Sequence, residues 1–148
     1  MANSAKPPDG EPESKLTPEL VVSDYTASLA FYTDILGFAV DYARPEQRFA
    51  MLNRDGARIM IEQPVDRSWI TAELARPYGR GINFQIEVGD VAALYAHCIA
   101  NRTPLFMDME DAWYRRNDHE VGNRQFLLQD PDGYLLRFFQ HLGERPIP

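Results

Sequence analysis

The sequence predicts an α+β fold: two βαβββ modules forming a curved, half-barrel mixed sheet with the helices outside. Two observations carry this. A strand, an acidic cap and an amphipathic helix occur twice, as "ELVVSDYTASLAFYTDILGF" and as "NFQIEVGDVAALYAHCIANR". Each is followed by three strand-length pieces, two of them joined by a turn signal, "NRDG" in the first half and "DPDG" in the second.

In the first half a strand near 18–22 meets Ser23 or Asp24, residues that favour a helix N-cap. Tyr25, Leu29, Tyr32 and Leu36 then recur at helical spacing, and Gly37 stands where a left-handed C-cap belongs. The strand pieces are "FAV", "RFAML" and "ARIMIEQ". In the second half the first strand ends at Val88 and Asp90 caps. Val91, Leu94, Tyr95 and Cys98 follow helical spacing, and Asn101 closes the helix. "PLFMDM", "RQFLLQ" and "YLLRFF" complete the module. Asp-Gly and Pro-Asp-Gly between apolar runs are hairpin signals, because glycine adopts the left-handed backbone that such turns demand. The connecting stretch "PVDRSWITAELARPYGRG" predicts a short helix starting near Ser68. A βαβββ unit leaves one face of its sheet open, so two units are expected to enclose a side-chain-lined cavity or to pair with a second chain.

Bulk composition excludes several classes. At 148 residues, 45% hydrophobic and 25% charged, the chain is of ordinary globular make-up. A net charge of −7 argues against nucleic acid and anionic membrane as partners, since both need a basic footprint. A cationic small molecule would be tolerated or steered inward, the competing reading being that the acidity serves solubility alone. No apolar run is long enough to span a bilayer, and the N-terminus carries no export or organelle signal. The single cysteine, Cys98, fits a reducing compartment, so a cytoplasmic location is expected.

The stretch "VSDYTASLAFYTDILGF", with its S-D-x-x-x-S-L-x-F-Y-x-x-x-L-G-F pattern, and the later "FLLQDPDGYLLRFF" resemble the vicinal oxygen chelate superfamily. This is the glyoxalase/bleomycin resistance protein/dioxygenase group, and the likeness is to its bleomycin-resistance branch. The resemblance implies a domain over 16–142, made of module 16–63, linker 64–80 and module 81–142. Residues 1–15 are expected as a disordered tail and 143–148 as a loose C-terminus. It also implies a homodimer. Members that are enzymes hold a metal through one ligand on the first and last strand of each module. By position those places fall at about Thr17, Glu62, Asn83 and Arg137. Only Glu62 is an ordinary ligand for a divalent ion, and a fixed cation in the shell repels one. His97, His119 and His141 offer no partner at ligand spacing. No metal and no cofactor are therefore expected.

Arg137 poses its own question, since it interrupts the apolar run Leu135, Leu136, Phe138, Phe139. An unpaired buried guanidinium costs several kcal/mol, so it needs a partner or a solvated face. Pairing with Glu62 is one expectation, and an outward-facing arginine with a surface acid is the other. Trp113 and Tyr114 are adjacent, so only one of them can face a cavity. Asn83 and Gln85 share a face and suggest a polar, hydrogen-bonding floor. Phe49 and Trp69 complete the candidate contact set, with core packing as the competing reading for Phe49 and helix packing for Trp69. There is no nucleophile constellation, P-loop or dinucleotide fingerprint. The expected role is metal-free binding of a bulky, cationic antibiotic or metabolite in a dimer crevice. The alternatives are a divergent metal-dependent enzyme of the same fold (lyase, isomerase or dioxygenase) and a non-binding dimeric interaction module.

Overall fold

The structure, a computed structural model, describes residues 14–65 and 69–148. The chain divides into two compact units between Arg76 and Pro77, inside the expected linker. Each unit has the order β-α-β-β-β.

In the first unit β1 (Glu19–Val21) leads into α1 (Tyr25–Ala30). The expected cap forms: the Asp24 carboxylate accepts the Ala27 N–H at 3.1 Å, satisfying one of the donors a helix start leaves open. The helix continues as a wider π turn over Phe31–Ile35, closed by the Leu36 N–H on the Phe31 carbonyl at 3.2 Å. That turn carries Tyr32 into the core, where it and Leu36 are fully buried. Three strands follow, β2 (Ala39–Arg44), β3 (Phe49–Arg54) and β4 (Ala57–Glu62). They form an open sheet in the order β1-β4-β3-β2, with β1 parallel to β4 and the other pairs antiparallel. At the "NRDG" turn Asp55 and Gly56 both have positive φ, 51° and 91°, the mirror-image turn that matches strand twist.

The second unit repeats the plan with β5 (Asn83–Glu87), α2 (Val91–Ala100), β6 (Leu105–Arg116), β7 (His119–Gln129) and β8 (Leu135–Pro146). Its open sheet runs β5-β8-β7-β6, with β5 parallel to β8. Asp90 caps α2 through the Ala93 N–H at 3.0 Å. A second capping device appears in both units. Gln63, just past β4, accepts the Tyr25 N–H at 2.9 Å, and Gln140 on β8 accepts the Val91 N–H at 3.1 Å. Each glutamine thus ties a helix start to the parallel strand beside β1 or β5.

The core of this unit lies between α2 and one face of the sheet. Tyr95 of α2 meets Phe126 edge-on at 5.3 Å, and Phe126 stacks on Phe138 at 5.7 Å. Leu128, Leu136, Phe126 and Phe138 are fully buried there, each contributing roughly 1.5–3 kcal/mol. Alternation then sends Arg137 and Phe139 to the opposite face. The "DPDG" turn is held by Asp130, whose Oδ1 accepts the N–H groups of Asp132, Gly133 and Tyr134, each at 2.9 Å. Gly133, at φ 104°, also lets Pro77 approach to where a Cβ would stand.

Three expectations need correction or bounding. Residues 143–146 are not loose: they continue β8, with Gly143 to Pro146 paired to β7 between Gly122 and His119. The strand piece "PLFMDM" stops short: β6 runs on through the charged stretch that follows to Arg116, before a turn at Asn117, where φ is 56°. In the linker, residues 69–82 form bends and turns rather than a helix, while Ser68 and most of the expected N-terminal tail lie outside the described residues.

Candidate functional site

The face of the second sheet opposite α2 is hollow. A concavity of about 580 Å³ is lined there by all four strands: Gln85 and Glu87 from β5, Arg137, Phe139 and His141 from β8, Val121 and Asn123 from β7, and Tyr114 to Arg116 from β6. Register explains the set. In the parallel pair Gln85 stands beside Arg137 and Glu87 beside Phe139. Across the antiparallel pair Asn123 stands beside His141.

Arg137 therefore faces this hollow, which is why an arginine is tolerated between two fully buried neighbours. Its Nη2 donates to the Gln85 side-chain Oε1 at 2.7 Å, while its Nε is buried without an acceptor. Its partner within the unit is an amide, not a carboxylate. Nearby, the buried Gln125 amide donates to the Tyr114 hydroxyl at 2.6 Å and to Glu110 at 3.1 Å, which fixes the Tyr114 ring at the wall. The charge balance is unlike that of the whole chain: three arginines and one glutamate line the hollow.

Of the adjacent aromatics, Tyr114 lines the concavity and Trp113 does not. Trp113 lies on the other face of β6, its ring over Gly122 and beneath the Arg145 guanidinium, 4.2 Å from the ring centroid. Asn83 is exposed at the start of β5, on the face of Gln85 but outside the lining. Trp69 is 78% exposed in the stretch that follows β4. Sequence reading missed Glu87, Asn123, Phe139 and His141 as wall residues. The signal available was alternation: Glu87 lies two residues beyond Gln85, and Phe139 and His141 lie two and four beyond Arg137.

In the first unit Glu62 and Phe49 are directly paired across β3 and β4. Phe49 is buried beneath the Arg44 guanidinium, 3.9 Å from the ring centroid, with Tyr42 beside it. Glu62 hydrogen-bonds with Glu19. Burial first, then that bond and the repulsion from Glu62, hold the Glu19 carboxyl above its usual range, against the pull of Arg44. Arg58 and Asp41 form a largely buried ion pair at 3.1 Å on the same sheet.

The strand register also bears on metal binding. Val22 N–H bonds to the Glu62 carbonyl and Val88 N–H to that of Phe139, so Glu62 matches Phe139. Met60, paired with Glu19, then matches Arg137, paired with Gln85. The last-strand ligand place of the first module is thus Met60 rather than Glu62. A thioether and a fixed cation do not suit a hard divalent ion, so this donor set does not fit one. Among the described residues no group of three or more His, Cys, Asp and Glu side chains is gathered as a metal site.

A chain of two successive βαβββ units, each an open mixed sheet with its parallel strand pair at one end, defines a duplicated α+β class. Residues 16–138 match the model of the Glyoxalase/Bleomycin resistance protein/Dioxygenase superfamily, and the chain belongs to that superfamily. It is 29% identical over 138 residues to the bleomycin resistance protein of Geobacillus stearothermophilus, covering 84% of this chain and 95% of that protein. The bleomycin resistance protein of Staphylococcus aureus gives the same figures. The crystal structure of TioX from Micromonospora sp. ML1 shares the fold, with a TM-score of 0.68 at 20% identity over 87% of this chain and 99% of that one. Among the described residues no helix is long and apolar enough to cross a membrane.

Proposed function

We propose that this protein is a small-molecule-binding protein of the bleomycin-resistance type, acting in the cytoplasm. It holds a bulky, positively charged antibiotic or metabolite without a metal ion, in a crevice completed by a second copy of the chain. The observation that carries the reading is the hollow of about 580 Å³ on the second sheet, within the range of roughly 300–1,000 Å³ typical of ligand sites. Its walls combine aromatic surface, Tyr114 and Phe139, with convergent polar groups on Gln85, Asn123 and Arg137. The named relatives and the superfamily support the ligand class. The net charge of −7, with Glu19 and Glu62 together on the first sheet, supports attraction of a cationic body.

In this reading Gln85, Tyr114 and Arg137 contact the ligand, joined by Asn123 and Phe139. Asn83 adds an amide on the same face of β5, while Phe49, buried beneath Arg44, and Glu62, on the sheet of the first unit, are assigned no contact in this hollow. Trp113 supports its strand from the other side, and Trp69 is assigned no contact. Titration calorimetry of chelator-treated protein with metal-free bleomycin tests this. Saturable binding at micromolar or tighter levels is expected, weakened about tenfold by Tyr114→Ala as aromatic packing of about 1.4 kcal/mol is lost. Absence of binding up to millimolar antibiotic would remove bleomycin as the ligand. A monomer by light scattering at micromolar concentration would remove the shared crevice.

A further inference from the structure

The cation at the floor of the hollow is under-satisfied. A guanidinium carries five N–H donors and cannot release its charge. Arg137 makes one hydrogen bond, to a neutral amide, and its Nε is buried with no acceptor. Among the described residues no carboxylate stands within ion-pair distance of it. The one acid of the lining, Glu87, is in register with Phe139 rather than with Arg137. Arg115 and Arg116 add positive charge from β6. The Asn123 side chain, buried on β7 and reaching the hollow, makes no hydrogen bond among the described residues.

We infer that this hollow takes an oxoanion of the ligand, seated on the guanidinium of Arg137. A bound carboxylate would supply the acceptors and the counter-charge that the surrounding side chains leave out. The planar donor fork of arginine matches the two oxygens of such a group. Asn123 stands ready to donate to it, and Arg115 and Arg116 raise its local concentration. The inference rests on the reading of the hollow as a ligand site and refines it: a ligand with positive charge elsewhere also carries an acidic group, so it is amphoteric. Carboxylate and phosphonate share the required chemistry.

The test is a nitrogen-15 NMR titration of the full, chelator-treated chain with three probes of similar size: benzoate, phenylphosphonate and benzamide. Benzoate is expected to shift the side-chain amides of Gln85 and Asn123 and the backbone amides of 135–141, and to bind roughly tenfold more tightly than benzamide. In Arg137→Gln that preference is expected to vanish, and in Arg137→Lys to be only partly kept, signal dispersion confirming that each variant is folded. Phenylphosphonate binding more tightly than benzoate, with the same dependence on Arg137, supports the oxoanion site and identifies a phosphorus acid as its preferred group. Equal binding of benzoate and benzamide overturns the charge assignment while leaving the hollow a ligand site. Benzoate affinity unchanged in Arg137→Gln also overturns it. Absence of shifts at 135–141 with all three probes overturns both the oxoanion and the ligand site.

Discussion

Gly122→Ala isolates what keeps Trp113 on its side of β6. Gly122 lies opposite Trp113 in the β6–β7 ladder, and a Cβ built there would meet the indole ring at 2.8 Å. Contacts that short do not persist, so the ring must move, and Arg145 above it must move as well. Gly122 is not in the left-handed region. Alanine therefore adds no backbone strain and gains about 0.4–1 kcal/mol by restricting the unfolded chain. Against this stand overpacking of about 1–3 kcal/mol and the loss of an exposed cation–π contact of about 0.5–1 kcal/mol. The net is a destabilisation of about 0.5–3.5 kcal/mol, which for a chain of this size lowers Tm by roughly 1–14 °C. Thermal unfolding followed by circular dichroism measures it. The cost is expected to disappear in the Trp113→Ala background, where nothing blocks the methyl group. Gly122→Ala as stable as the parent, or equally costly with and without the indole, would refute the argument.

Three further outcomes follow from the same structure. Asp130→Ala removes the carboxylate acceptor of the Asp132 and Tyr134 N–H groups, while the Gly133 N–H keeps the Asp130 backbone carbonyl at 3.0 Å, and urea unfolding is expected to show a loss of about 2–4 kcal/mol; a loss below about 0.5 kcal/mol would contradict that role. Burial pushes the Cys98 thiol up to about 11, so a thiol-specific disulfide reagent at pH 8 should modify it only on unfolding, and fast reaction in native buffer would contradict its packing. Glu19 has its carboxyl raised above the ordinary value of 4.5, so the folded state holds more proton than the unfolded chain. Stability from this group is thus present below 4.5 and falls as pH rises through the raised folded value. Glu19→Gln should flatten that part of the stability–pH curve, and an unchanged curve would show that the folded state does not hold this carboxyl above its ordinary range.

The duplicated plan was legible because local chemistry dictates it. Asp24 and Asp90 can each satisfy a helix N–H only at a helix start, and "NRDG" and "DPDG" supply the backbone that their turns need. Arg137 was legible as an anomaly, but its partner was not. Gln85 meets it only because β5 and β8 are parallel neighbours, a long-range pairing that no local pattern encodes. The ligand position of the first module was set at Glu62, although Met60 stands four residues after Gly56 as Arg137 stands four after Gly133, a turn spacing with which the pairing to β1 agrees. The predicted strand "PLFMDM" ends where the apolar residues thin out, while β6 runs on to Arg116 through charged residues. On an edge strand such charges are compatible with pairing, and Asp111 with Arg124 forms a two-pronged ion pair across it. His141 falls outside the predicted strand "YLLRFF" for a related reason, since the apolar run ends before the hydrogen bonding does.

The most direct test of the central claim is a crystal structure of the metal-stripped protein grown with metal-free bleomycin. The account predicts antibiotic density on the second sheet, against Arg137, Tyr114 and Phe139, with no ion between ligand and protein. Density seated elsewhere with that hollow left to solvent, or a metal ion bridging ligand and side chains, would contradict it.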